Sequence, residues 1–166
     1  MSVDHVTRIR ELLESFDTAM LVTHGVDSLH HARPMAIARV EPTCDLWFFT
    51  GRRSAKVDEI RQDQEVLIVC QNERDCYVAL RGQAKLVSDR AKAAELWKER
   101  YQVWFPKGAA DPDLLLIQVK ARDAEYWERE GFKSIQYLFE AAKAFARGAQ
   151  LQNGEGEQHG TVSFNE

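Results

Sequence analysis

The stretch Trp47-Phe48-Phe49-Thr50-Gly51-Arg52-Arg53-Ser54-Ala55-Lys56 joins an apolar strand to a cationic helix start. The predicted strand, residues 46–50, is apolar on both faces, so it is buried on both sides or one face meets a partner subunit. Ser54 is a typical helix N-cap. Arg52, Arg53 and Lys56 then lie where the helix macrodipole disfavours cations. An anion such as a phosphate would explain them, whereas the alternative is a solvated basic turn.

Composition makes this local cluster informative. The 166 residues fit one domain, and 45% hydrophobic and 29% charged residues are typical of a soluble globular protein. The formal net charge of −4 argues against a general nucleic-acid binder, which would carry a basic excess. No apolar run approaches the ~20 residues of a membrane span, and the N-terminal residues lack the pattern of a secretory signal. The expected location is therefore the cytoplasm.

The cysteines and histidines do not predict a metal site. Cys44, Cys70 and Cys76 lack metal-type spacing, and Cys70 ends an apolar run in which a buried thiol is expected. His30 and His31 are adjacent, which favours a polar loop over a pair of metal ligands.

Apolar periodicity and turn residues predict a mainly β domain with flanking helices over residues 1–148. A polar segment rich in Gly, Gln and Glu follows over 149–166, and it is expected to be a flexible tail. Few helices connect the strands and no G-x-G-x-x-G occurs, so an antiparallel barrel is favoured over a Rossmann fold. The predicted helices cover residues 3–16, 54–60, 88–101 and 132–147. The predicted strands cover residues 19–23, 33–40, 46–50, 66–71, 77–87 (with a bulge at Gly82), 114–119 and 124–129.

Four motifs, in this order, resemble the pyridoxamine 5′-phosphate oxidase-like FMN-binding split-barrel superfamily, and most closely its general stress protein 26 branch. The resemblance covers roughly residues 5–150. The motifs are Ala32-Arg33-Pro34-Met35, Phe48-Phe49-Thr50 with Ser54-Ala55-Lys56, Trp104-Phe105-Pro106 with Asp111-Pro112-Asp113, and Ala124-Glu125-Tyr126-Trp127.

This resemblance implies a six-stranded antiparallel split β-barrel that forms a homodimer, with one FMN in each of two clefts between the subunits. Arg33 would contact the phosphate or ribityl chain, and Lys56 would hold the phosphate as a point charge. The implied cofactor-binding residues of one subunit are Arg33, Pro34, Met35, Phe49, Thr50, Ser54, Ala55 and Lys56. Trp104, Phe105 and Trp127 of the other subunit would close the cleft around the flavin ring.

Each aromatic residue also has a purely structural interpretation, as part of a core or an interface without a ligand. Trp97 falls on a regular helical face and is expected to be a core residue. Trp104 lies in a loop beside Pro106 and Gly108, where aromatic side chains often serve function.

The chain departs from the true pyridoxine-phosphate oxidases at positions that would bind substrate. Ala38 replaces a substrate-binding lysine, and the Arg-Leu-His segment expected after Trp127 is missing. Ala55 stands where the family has a basic residue before the phosphate-binding lysine, although Arg52 or Arg53 could compensate. Oxidation of vitamin B6 is therefore not expected.

The leading functional hypothesis is a stress-related, flavin-dependent oxidoreductase that acts on an unknown small molecule. His24 and Asp113 are candidate proton-transfer groups by position only. One alternative is a non-catalytic flavin-binding stress protein that serves as a sensor, carrier or store. Others are a split barrel that binds F420 or haem, and a dimeric scaffold whose basic turn binds nothing.

Overall fold

Three helices and seven strands form the described part of the chain. The structure is a computed structural model that describes residues 3–72, 76–129 and 157–164. No helix within these ranges has the length and apolar content needed to cross a bilayer. In chain order the elements are α1 (Val3–Glu14), β1 (Thr18–His24), β2 (His30–Val40), β3 (Leu46–Gly51), α2 (Ala55–Gln62), β4 (Glu65–Gln71), β5 (Tyr77–Val87), α3 (Arg90–Leu96), β6 (Leu114–Arg129) and β7 (Glu157–Ser163).

Six antiparallel strands close into a barrel, which confirms the predicted fold. Neighbouring strands follow the order β3-β2-β1-β4-β5-β6, and pairing between β3 and β6 closes the ring. Alternate side chains of each strand point into the barrel. On β1 the inward positions are Ala19, Leu21 and Thr23, and all three are buried.

Strand β6 is one continuous strand where the sequence predicted two. One of its edges pairs with β5 along most of its length. The other edge pairs with β3 over Leu114–Val119 and with β7 over Asp123–Arg129. The length of β6 therefore lets a single strand both close the barrel and hold a seventh strand.

Strand β7 (Glu157–Ser163) lies within the polar segment 149–166, of which the structure describes residues 157–164. Val162 is 1% exposed within the barrel core, and Gly160 packs on the ring of Tyr126. A Cβ at Gly160 would lie 2.3 Å from that ring. Polar residues alternate with these two inward positions, so the average composition conceals the strand. The predicted helix 132–147, its stop at Gly148 and the domain boundary there lie outside the described residues.

Two apolar clusters lie on opposite faces of β3. Leu46 and Phe48 point into the barrel core, whereas Trp47 and Phe49 belong to a second cluster outside the barrel. That second cluster also contains Ala93, Leu96, Tyr101, Phe105, Leu114 and Leu116. Both faces of β3 are thus buried within one chain, as its two-sided apolar pattern predicts, without recourse to a partner subunit.

Helix α3 is shorter than the predicted helix over residues 88–101. The carboxylate of Asp89 accepts a hydrogen bond from the Lys92 amide and caps the helix as expected. The helix ends at Leu96, Trp97 is extended, and a 3₁₀ turn follows over Glu99–Val103. This break brings both Trp97 and Tyr101 against Phe49, so packing overrides the helical continuation.

Gly82 provides a test of the barrel. It lies at a register shift between β5 and β6, which confirms the predicted bulge, and a Cβ there would lie 2.4 Å from the Lys120 carbonyl oxygen. We expect Gly82→Ala to lower the free energy of unfolding by about 1–3 kcal/mol, because the backbone of β6 must move. Urea denaturation followed by circular dichroism measures this change.

Lys85→Ala, at an exposed position of the same strand, is the matched control and should stay within about 0.5 kcal/mol of the wild type. Equal stabilities of the two variants would contradict the close contact between β5 and β6.

Candidate functional site

Lys56, Ser54 and Thr50 converge where β3 ends and α2 begins. The ammonium group of Lys56 donates hydrogen bonds to Ser54 Oγ at 2.6 Å and Thr50 Oγ1 at 3.3 Å. The chain turns tightly here, since the Ser54 amide donates to the Gly51 carbonyl at 3.1 Å. We call Thr50, Ser54, Ala55 and Lys56 the cradle. It places one ammonium, two hydroxyls and the start of a helix around one point, a combination that suits an anion.

The electrostatics of the cradle also favour an anion. Lys56 is half-buried, and this burial holds the pKa of its ammonium group below the ordinary value. The positive charge of nearby Arg33 lowers that pKa further, while the negative charge of Glu59 opposes the effect. A bound anion would offset both the burial of the charge and its repulsion by Arg33.

Ser54 differs in one respect from its predicted role. It occupies the N-cap position of α2, but its side chain makes no capping hydrogen bond to the helix. Its hydroxyl accepts a hydrogen bond from Lys56 instead. Ser54 is therefore oriented toward the cradle rather than toward the helix amides.

Only one of the three cations that open the helix lies in the cradle. Arg52 is directed away from the cradle: Nε donates to the Pro112 carbonyl in the loop before β6 at 3.0 Å, and Nη2 donates to Ser88 Oγ just after β5 at 2.6 Å. The Arg53 side chain is 90% exposed and approaches Asp113 at 3.4 Å. Each arginine thus has one contact in the loop before β6. Of the three cations, Lys56 alone therefore contacts the cradle hydroxyls, and the anion itself stays a prediction.

Arg33 is held by partners within its own chain. Its Nη1 donates to Thr23 Oγ1 at 2.7 Å, and its Nη2 donates to Glu59 Oε2 at 2.8 Å. Because side chains alternate along β2, Arg33 points to the same side as the buried Met35, toward one end of the barrel. Arg33 is thus an inward-facing cation beside Lys56, and the expected direct contact with a ligand stays a prediction.

Glu59 is a buried carboxylate that the sequence analysis did not single out. It is 4% exposed and also accepts a hydrogen bond from Thr23 Oγ1 at 2.5 Å. Its other oxygen lies 2.7 Å from His31 Nδ1, and His31 Nε2 lies 3.1 Å from Asp27. Burial alone would raise the pKa of Glu59, but hydrogen bonds from Thr23, His31 and Arg33 outweigh it and lower the pKa to about 2. Glu59 is therefore ionised at neutral pH.

The neighbouring carboxylates act on His31 in the opposite sense. Its hydrogen bond to Glu59, aided by the charge of Asp27, raises the pKa of the imidazole above its ordinary value. The sequence holds one clue to the role of Glu59. It follows Lys56 by three residues on α2, so the two side chains share one face of the helix.

Pro34 and Met35 lie on opposite faces of β2. Pro34 is exposed on the outer face, whereas Met35 is 8% exposed and packs in the barrel core. Of this predicted pair, only Pro34 presents its side chain to the exterior. A contact between a cofactor and Met35 would have to use its backbone.

The predicted cleft aromatics separate into three environments. Phe49 is 8% exposed and packs on Tyr101 and Phe105 of its own chain, with ring centroids 4.8 and 6.3 Å apart. Phe105 is 6% exposed in the second apolar cluster of its own chain, and its predicted role in a partner's cleft stays a prediction. Trp104 is 64% exposed and free of this packing. Trp127 stacks on His159, with a centroid distance of 5.3 Å and an interplanar angle of 20°.

Trp97 packs edge-on against Phe49, which confirms its predicted structural role. The two positional candidates for proton transfer are both engaged elsewhere. His24 lies 3.5 Å from Asp63, and Asp113 pairs with Arg53.

The outer surface of the barrel carries an apolar face that spans β2, β1, β4 and β5. Register places Pro34, Met20, Val69 and Ala79 side by side on β2, β1, β4 and β5. Ala32, Val22 and Leu67 form an adjacent row on the same face. The members are partly or fully exposed, and Met20 is 37% exposed. We call these seven residues the outer apolar face.

Comparison with known proteins finds a matching family model and solved structures with the same fold. Residues 4–152 match the family model for pyridoxamine 5′-phosphate oxidase-like proteins. A search of curated proteins found no match. The structure of a general stress FMN/FAD binding protein from Xanthomonas citri has a TM-score of 0.67 at 27% identity, over 78% of this chain and 92% of that protein.

Two further solved structures show the same fold. A candidate general stress protein 26 from Jannaschia sp. CCS1 has a TM-score of 0.74 at 23% identity and covers 98% of this chain and 99% of its own. General stress protein 26 from Bacillus anthracis has a TM-score of 0.68 at 22% identity, over 75% of this chain and 94% of its own.

The acid stability of the protein tests the ionised state of Glu59. Because its pKa is lowered from 4.5 to about 2, this carboxylate stabilises the fold above about pH 5, and the contribution is lost as the pH falls toward 2. We expect Glu59→Gln to be less stable than the wild type by about 3 kcal/mol at pH 7. The difference should shrink steadily between about pH 4.5 and 2 in urea denaturation.

Asp58→Asn changes an exposed carboxylate on the same helix, paired with Arg61, and serves as the control. It should change stability by less than about 1 kcal/mol. A difference between Glu59→Gln and the wild type that stays constant down to low pH would contradict the assignment.

Proposed function

The chain belongs to the pyridoxamine 5′-phosphate oxidase-like family, and on this premise we propose that it is a homodimeric, FMN-binding stress protein of the cytoplasm. The observation that carries the proposal is the cradle, in which Lys56 meets the hydroxyls of Ser54 and Thr50 at the start of α2. The family places its cofactor phosphate at the matching motif. The similar structure from Xanthomonas citri is that of a general stress FMN/FAD binding protein, which supports a flavin as the ligand.

The residues of the cradle fit a phosphomonoester. Such a group carries about two negative charges at neutral pH and offers three acceptor oxygens. Lys56 would supply the opposite charge, Ser54 and Thr50 would donate hydroxyl hydrogen bonds, and the amide of Ala55 would add the positive end of the helix dipole. The lowered pKa of Lys56 would rise again on binding, because the phosphate favours its charged form.

The proposed flavin ring would extend from the cradle along β2 into a cleft between subunits. Pro34 lies on the outer surface of that strand, and the exposed Trp104 and partly exposed Trp127 of the partner would cover the ring. Aromatic side chains suit a large flat ring. When bound, the flavin would supply the redox chemistry, and the chain would bind and orient it and exclude water.

A second copy of the chain is the proposed occupant of the outer apolar face. The seven side chains are contiguous and apolar, unlike the charged surface of a typical monomer. Pro34 belongs to this face and is the neighbour of Arg33 along β2, so dimerisation would bring the partner's side chains close to the proposed cofactor. A C₂ dimer uses one self-complementary patch, which this arrangement allows.

We propose that the protein is a flavin-dependent oxidoreductase that acts on a small molecule. The proposal does not include oxidation of pyridoxine phosphate, because Ala38 replaces the substrate-binding lysine and the Arg-Leu-His segment is missing. Asp63 lies 3.5 Å from His24, and Asp113 pairs with Arg53, so neither proton-transfer candidate is free for chemistry. This favours the second candidate, a flavin-binding protein without turnover. Steady-state oxidation of a nicotinamide donor or reduced substrate would distinguish the two. Mass spectrometry of the extracted ligand would distinguish FMN from FAD, F420 or haem.

Lys56→Ala tests the proposed phosphate contact. We expect the variant to bind FMN about 10–100-fold more weakly, because one charge-assisted hydrogen bond contributes about 1.5–3 kcal/mol. Its affinity for riboflavin, which lacks the phosphate, should change less than about twofold. Quenching of flavin fluorescence measures both dissociation constants.

Arg53→Ala removes a cation from the same loop that is directed away from the cradle, and it should bind FMN like the wild type. Wild-type protein that binds no FMN, or equal losses in the two variants, would contradict the proposal.

The proposed dimer should sediment at about 38 kDa, twice the 19.0 kDa of one chain. Met20→Asp places a charge in the outer apolar face, so we expect dissociation to monomers and weaker FMN binding. Analytical ultracentrifugation measures the mass. Val26→Asp, at an exposed hairpin position, is the control and should remain dimeric. A monomeric wild type would overturn this part of the proposal.

A further inference from the structure

We propose that Glu59 is a positioning residue of the cradle: it holds the guanidinium of Arg33 next to Lys56, so that a ligand phosphate meets two cations already in place. This inference rests on the proposed function in taking the cradle as a phosphate site. It adds a residue that neither the family motif nor the sequence pattern assigns.

The first support is the way in which Arg33 is held. Nη1 donates to Thr23 Oγ1 at 2.7 Å and Nη2 donates to Glu59 Oε2 at 2.8 Å, so both ends of the guanidinium are fixed. Thr23 itself donates to the same Glu59 oxygen at 2.5 Å. These contacts use two of the five N–H donors of Arg33, which leaves donors in the same plane for a further acceptor.

The second support is that Glu59 is itself rigid. Its second oxygen lies 2.7 Å from His31 Nδ1, and Asp27 holds the other ring nitrogen of His31 at 3.1 Å. Both carboxylate oxygens therefore have partners, and the side chain is 5% exposed. A cation pinned by a rigid carboxylate loses little conformational freedom when a ligand binds.

The third support is charge. Glu59 follows Lys56 by three residues on α2 and its carboxylate binds the Arg33 guanidinium at 2.8 Å, so all three charged groups lie at the same face of that helix. Burial is the main cause of the lowered pKa of Lys56, the charge of Arg33 adds to it, and the charge of Glu59 opposes it. A carboxylate one helical turn after Lys56 thus lets two cations share a small site before any ligand arrives. Among the described residues, the other titratable groups near this cluster are Asp27 in the hairpin, His31 on β2, and His24 and Asp63, which lie at the ends of β1 and α2.

A double-mutant cycle tests this role, with FMN and riboflavin as paired probes. Glu59→Ala should weaken FMN binding at least fivefold and riboflavin binding less than twofold. Arg33→Ala should weaken FMN binding at least as much. The double variant should match Arg33→Ala within twofold, because Glu59 acts through Arg33. Glu59→Gln should recover at least half of the logarithmic loss, since its amide oxygen can still accept from Nη2.

Three results would overturn the inference: equal losses for FMN and riboflavin, tighter FMN binding by Glu59→Ala, or additive losses in the double variant. If Glu59→Ala does not fold, Glu59→Asp decides the matter. Its carboxylate is too short to keep the contact with Nη2, so the inference requires a loss confined to FMN, and unchanged FMN binding contradicts it.

Inorganic phosphate separates this inference from the proposed function. Its binding is measured by ³¹P NMR line broadening on the same variants. Wild-type protein that binds phosphate but neither flavin would end the flavin proposal, and the variants would then support or overturn the role of Glu59 with phosphate alone. Wild-type protein that binds neither phosphate nor FMN would overturn both.

Discussion

Burial of strand β3 on both faces is the constraint on which the barrel and the cradle depend. Phe48 completes the barrel core, while Phe49 anchors the outer cluster of α3 and the 3₁₀ turn. Pairing of this strand with β2 on one edge and β6 on the other closes the barrel. A strand held on four sides cannot shift in register without exposing large aromatic side chains, so its carboxyl end is a fixed point. Thr50 and the turn to Lys56 start from that point.

Successive side chains of a strand point to opposite faces of the sheet, and this alternation divides the functional groups between two surfaces. Inward positions at this end of the barrel gather Arg33, Thr23 and His31 around the buried carboxylate of Glu59. Outward positions of the same strands carry the outer apolar face. A polar cluster that fixes charge and an apolar face that suits a second subunit thus lie back to back. This arrangement explains how one short sheet could serve both a phosphate and a dimer interface.

The sequence predicts those features that local patterns determine. The two-sided apolar strand and the bulge at Gly82 follow from residue periodicity, and Ser54 and Lys56 meet because only a tight turn separates them. The directions of side chains whose partners are distant in the sequence could not be predicted. Arg52 turns away toward Pro112, and Glu59 is explained only by Thr23 and Arg33, which are remote in the chain. Strand β7 was missed because its polar outward residues conceal the inward Gly160 and Val162.

A crystal structure of the protein grown with FMN tests the central claim most directly. We predict that the phosphate lies within hydrogen-bond distance of Lys56 Nζ and Ser54 Oγ. Lys56 should move from its present 2.6 Å contact with Ser54 toward the phosphate oxygens. Arg33 should keep its hydrogen bond to Glu59 in that complex. A phosphate bound at Arg52 and Arg53, or full-occupancy FMN elsewhere on the barrel, would contradict the account.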